Sequence, residues 1–111
     1  MTTPEWHRHC ADRAADHVLD ASGIDVWKIL GAPPPRSWRE AADLYRRHGV
    51  RSLGELVSRA LGAPVSPLLA RRGDVVRRGW ALGICEGELA TFFGGEVSPI
   101  SEIDEAWQLV S

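Results

Sequence analysis

The sequence predicts an α+β fold, in which three N-terminal helices pack on one face of a small antiparallel sheet of about four strands. Apolar residues recur at helical spacing in the first half of the chain and alternate with a period of two in the second half. Because the predicted helices all precede the strands, we expect them to cover one face of the sheet. Residues 1–111 are predicted to form a single domain, with a helical half at about 10–62 and a sheet half at about 73–110.

The helical half is predicted from one apolar repeat and two capping boxes. The repeat runs over about 10–21, with small apolar residues every three or four positions. The segments Ser37-Trp-Arg-Glu40 and Ser52-Leu-Gly-Glu55 have the serine and glutamate that cap a helix N-terminus, so they begin the second and third helices. The short apolar stretch at 26–30 and the prolines at 33–35 are predicted to connect the first two helices, the prolines in an extended conformation.

The second helix is predicted to have one apolar side. That side carries Trp38, Ala41, Ala42 and Tyr45, which recur at helical spacing.

The sheet half is predicted from alternation and turn residues. Strands are expected at 74–77, 80–85, 89–93 and 106–110, separated by glycine-containing turns. The segment at 98–103 is expected to form one short helical turn.

Composition excludes several classes of function. A net charge of −2 gives no support to general binding of nucleic acid or anionic lipid. No apolar run approaches the roughly 20 residues of a membrane span, and the N-terminal residues do not resemble a signal peptide. Two cysteines, Cys10 and Cys85, do not make a disulfide framework, and His7-Arg-His9-Cys10 lacks the second cluster that a zinc site needs. We therefore expect no metal and no cofactor.

Tryptophan is frequent, with five residues in 111. Most are expected to anchor packing, but tryptophan is also enriched at protein interfaces. The candidates for an interface are Trp6, Trp27, Trp38 and Trp80.

Cys10 is the candidate nucleophile, because it opens the first predicted helix. A thiol at a helix N-terminus feels the positive end of the helix dipole, which favours the thiolate. A cysteine hydrolase also needs a base within hydrogen-bond reach of the sulfur. No histidine follows His48, His17 lies about 10 Å along the same helix, and His9 is the direct neighbour of Cys10. The residues therefore give a nucleophile without an evident base.

The order of short motifs resembles the NlpC-type papain-like cell-wall peptidases, and in particular a small branch encoded among the tail genes of phages and gene-transfer particles. His9-Cys10-Ala11 matches the Asp-Cys pair at the head of the family's helix, with histidine in place of aspartate. Arg72-Gly73-Asp74 matches its Gly-Asp step, and Ala81-Leu82-Gly83-Ile84-Cys85 matches its His-Val-Gly-Ile-Tyr strand. The resemblance implies a papain-like core, with Ala81 where the catalytic histidine belongs and only Thr91 as a polar residue on the next strand.

This resemblance implies a catalytically inactive domain that serves as a structural component of a phage tail tip or baseplate hub. The expected partners are other tail-tip or hub proteins, and the expected location is the virion tail after assembly in the host cytoplasm. The alternative is an enzyme, a cysteine amidase or endopeptidase that acts on peptidoglycan with Cys10 as nucleophile. A third interpretation is a small regulatory or toxin–antitoxin binding module.

Overall fold

The computed structural model describes the backbone of residues 10–93 and 95–109, and the side chains of these residues from Arg13 onward. In this part of the chain an α+β fold is present, as predicted, with four α-helices and a five-stranded antiparallel sheet. The helices are α1 (Cys10–Ser22), α2 (Val26–Leu30), α3 (Trp38–His48) and α4 (Leu53–Leu61). The strands are β1 (Val75–Arg78), β2 (Ala81–Cys85), β3 (Leu89–Phe92), β4 (Val97–Pro99) and β5 (Glu105–Trp107).

The helix starts follow from side-chain caps. The Ser37 and Ser52 side chains accept hydrogen bonds from the backbone N–H of Glu40 and Glu55, which confirms the serine half of both predicted capping boxes. The Glu55 carboxylate reaches the backbone N–H of Arg51, one residue before the cap. In the described part of the chain, no helix is both long and apolar enough to cross a membrane.

The prediction of three helices was wrong by one, because the apolar stretch at 26–30 is the helix α2. The Asp25 side chain caps its N-terminus by accepting from the backbone N–H of Lys28. Gly31 ends it in the left-handed conformation, with φ +69°. A helix of five residues shows too little periodicity to be distinguished from a connection, so only these two caps could have revealed it.

The sheet order is β4-β3-β2-β1-β5. Strands β1 to β4 form an antiparallel meander, and β5, which was predicted as the last strand, returns to pair with β1 on its other side. The count of about four strands was low because β4, at 97–99, was not predicted. The helical turn expected at 98–103 is present as a 3₁₀ turn at Ile100–Glu102, and a second 3₁₀ turn, not predicted, lies at Pro67–Leu69.

Both faces of the sheet are covered. On one face Leu82 and Trp107 pack against Ala14 and Val18 of α1 and Leu53 of α4, as expected for helices on one side. The opposite face belongs to a second cluster, whose buried members are Val76, Cys85, Ala90, Phe92, Ile103 and Ala106. We call these the helix face and the far face. Strand alternation assigns neighbouring residues of β1, β2 and β5 to opposite faces.

Candidate functional site: an aromatic groove

Cys10 is the first described residue of α1, and the prediction that it opens the helix depends on residues 1–9, which lie outside the described part of the chain. Its side chain lies outside the described part of the chain, as do His7 and His9. From Arg13 onward the side chains of α1 are described, so the residues of the sheet that pack against this helix can be identified.

Ala81 is the first residue of β2, and it packs against the far-face cluster. The β2 residues that lie with α1 on the helix face are Leu82 and Ile84. Because successive side chains of a strand point to opposite faces, a side chain at position 81 points away from the face that α1 covers. The sheet therefore offers α1 apolar side chains from β2 rather than a titratable one.

The two described histidines are engaged in structural hydrogen bonds. His17 Nε2 lies 2.8 Å from the backbone oxygen of Gly73, and His48 Nε2 lies 2.8 Å from that of Leu30. A carbonyl only accepts, so each Nε2 carries the proton and donates. His17 thus ties α1 to the segment before β1, and His48 ties α3 to the end of α2.

Asp74, from the Gly-Asp motif, is a structural acceptor. It is 3% exposed, and its carboxylate accepts from the backbone N–H of Arg71 at 2.7 Å and of Leu109 at 3.0 Å. The motif therefore fastens the start of β1 to the segment after β5.

Cys85 is a free, fully buried thiol of the far face. Its Sγ donates to the backbone oxygen of Gly87 at 3.4 Å. Among the described side chains no group of three or more histidine, cysteine, aspartate or glutamate residues is placed to hold a metal.

A groove of about 490 Å³ lies between α3 and the β1–β2 turn, and we call it the aromatic groove. Its rings come from Trp38, Tyr45 and Trp80. The Tyr45 and Trp80 rings are stacked, with centroids 6.4 Å apart and planes 25° apart. Trp38 is 49% exposed and Trp80 67% exposed, which is unusual for the largest apolar side chain and is typical of a binding surface.

The predicted apolar side of α3, with Trp38, Ala41, Ala42 and Tyr45, lines the groove. Tyr45 also packs against the cluster of α2 and α4. The buried residue of α3 is Leu44, which packs with the cluster of α2 and α4. Between the Trp38 and Tyr45 rings, the groove is lined by the small side chains of Ala41 and Ala42.

Trp80 is held in place by the β1–β2 hairpin. Arg78 pairs with Ala81, so Gly79 and Trp80 form a two-residue loop. Gly79 has φ +60°, as the first residue of a tight hairpin turn requires, and its backbone N–H donates to the Asp104 carboxylate at 2.8 Å. The loop is thus anchored to the segment before β5, and it projects Trp80 toward α3.

The structure brings together two of the four predicted interface tryptophans, Trp38 and Trp80. Trp27 instead lines a small apolar cavity of about 30 Å³ enclosed by α1, α2, α4 and the sheet. Trp6 lies outside the described residues. Sequence reasoning missed Tyr45 and Arg51 as groove residues. The one available signal was the spacing of Trp38 and Tyr45, which places them on the same side of a helix.

The fold and the groove together define a small α+β domain with an exposed aromatic surface and a structural role for its described histidines. The chain belongs to a family described as a domain of unknown function (DUF6950), whose model matches residues 2–109. No curated protein and no solved structure matches the chain significantly.

Proposed function

We propose that this domain is a non-catalytic protein-binding module and that the aromatic groove is its docking surface. The observation that carries the proposal is the meeting of Trp38, Tyr45 and Trp80, which come from two distant parts of the chain. Energetically dominant interface residues are enriched in tryptophan and tyrosine and lie in pockets that exclude water.

The resemblance to the NlpC-type phage branch supplies the proposed context, a structural component of a tail tip or hub. The apolar helix face of β2 and the bonded state of His17 and His48 support loss of chemistry in such a protein. The proposed partners are therefore neighbouring tail proteins, and the proposed location is the virion tail.

The test uses products of the genes adjacent to this one, co-expressed and co-purified with the domain. We expect a stable complex that is lost in W38A and W80A and kept in L68A. Leu68 is 82% exposed and is not among the groove-lining residues, so it controls for removal of an exposed apolar side chain. Equal binding by all three variants would contradict the proposal.

The hydrolase alternative rests on Cys10 at the N-terminus of α1. Purified protein would be incubated with peptidoglycan, and the release of stem-peptide fragments followed by mass spectrometry. We expect no turnover beyond that of the C10A variant. Turnover that C10A abolishes would replace the binding module with a cysteine hydrolase.

A further inference from the structure

We propose that the aromatic groove binds a proline-rich segment of a partner protein, in polyproline II conformation, with an acidic residue beside the prolines. This inference rests on the proposed function, because it names the chemistry of the ligand at that docking surface. Two properties of the groove support it: the spacing of its rings and its charge.

The ring spacing matches a polyproline helix. Trp38 and Tyr45 are seven residues apart on α3, so they lie on nearly the same side of the helix and about 10.5 Å apart along its axis. A polyproline II helix advances about 9 Å per turn of three residues. Two prolines one turn apart can therefore each contact one ring, while the residues between them lie over Ala41 and Ala42.

The charge selects the flanking residue and argues against a second copy of this chain as the ligand. Among the described side chains that line the groove, Arg51 is the charged one, so an aspartate or glutamate in the ligand is attracted to it. The chain has its own Pro33-Pro34-Pro35, with Pro33 and Pro34 exposed, but Arg36 follows them. That segment would bring a positive charge toward Arg51, so the ligand belongs to another protein.

The probe is a fluorescein-labelled peptide of six prolines followed by two aspartates, titrated with the intact protein and followed by fluorescence anisotropy. The comparison peptides end in two lysines, or replace the prolines by glycine and serine. We expect saturable binding of the acidic proline peptide, roughly three- to fivefold weaker binding of the lysine peptide, and no binding of the glycine–serine peptide.

The variants locate the binding site. W38A and W80A should each weaken binding about tenfold or more, whereas L68A should bind like the parent protein. Because Trp38 and Trp80 are exposed, circular dichroism should show an unchanged fold. R51E should reverse the preference, so that the lysine peptide binds more tightly than the aspartate peptide.

Three results would overturn the proposal. The first is no binding of the proline peptides. The second is binding of peptidoglycan glycan fragments at the groove in their place. The third is concentration-dependent self-association that is abolished in W80A but is not disrupted by the proline peptide. If the proline peptides fail while W38A and W80A still lose the co-purified partner, the docking surface stands and only the ligand chemistry is wrong. If neither experiment responds to these variants, both proposals fail.

Discussion

The substitution D74N tests whether the Gly-Asp motif is structural. Asp74 is buried, and its two carboxylate oxygens accept from two backbone N–H groups, those of Arg71 and Leu109. Asparagine has the same shape but only one acceptor oxygen, so one backbone N–H would face an amide N–H. The variant would therefore lose one hydrogen bond to a charged group and leave a buried donor without a partner.

The magnitude follows from these two losses. A hydrogen bond to a charged group contributes about 1.5–3 kcal/mol, and an unsatisfied buried donor costs about 1–3 kcal/mol. Since the two terms overlap, we expect the free energy of unfolding to fall by about 3 kcal/mol. With a urea m-value of roughly 1–3 kcal/mol/M for a small protein, the unfolding midpoint should fall by about 1–3 M.

The assay is urea unfolding followed by tryptophan fluorescence, with D43N as the matched control. Asp43 is 57% exposed and pairs with Arg46 on the surface of α3, so its replacement should change stability by less than about 0.5 kcal/mol. An unchanged or raised midpoint for D74N would refute the structural assignment. It would instead suggest a carboxylate kept for activity at the expense of stability.

Two further substitutions test the packing. G83A should lower the free energy of unfolding by about 3 kcal/mol in the same assay, because a Cβ at this position would lie 2.6 Å from the backbone oxygen of Thr91. A decrease of less than about 1 kcal/mol would show that β2 and β3 can move apart at little cost. W107F should lower the free energy of unfolding by about 1–2 kcal/mol more than W27F does. Trp107 is fully buried and donates to Ser58 Oγ at 3.1 Å, whereas Trp27 Nε1 is buried with no partner in the described structure. Equal decreases for the two variants would contradict this order.

Much of the fold could be predicted because its signals are local. The Ser37 and Ser52 caps lie within four residues of the groups they bond, and the alternation in β2 reflects two buried faces. The missed elements lack such signals. α2 is shorter than two helical turns, and β4 has three residues, one of them Pro99, so neither shows a full period.

The groove could be predicted only in part, because its two halves meet through the tertiary fold. The spacing of Trp38 and Tyr45 places them on one side of α3, but it does not say whether that side faces core or solvent. The buried contact of α3 with α2 and α4 is made by Leu44, which leaves Trp38 partly exposed to solvent. Trp80 reaches Tyr45 only because the β1–β2 hairpin turns toward α3, a contact between residues 35 positions apart.

The placement of Ala81 bears on the resemblance as well as on activity. A strand has a side-chain period of two, so a catalytic residue on β2 that worked with α1 would occupy the parity of Leu82 and Ile84. Those positions are apolar, so the helix face of β2 offers α1 no base. Trp80 lies in the loop before β2 and lines the aromatic groove instead. If chemistry persists at Cys10, its base must come from somewhere other than position 81.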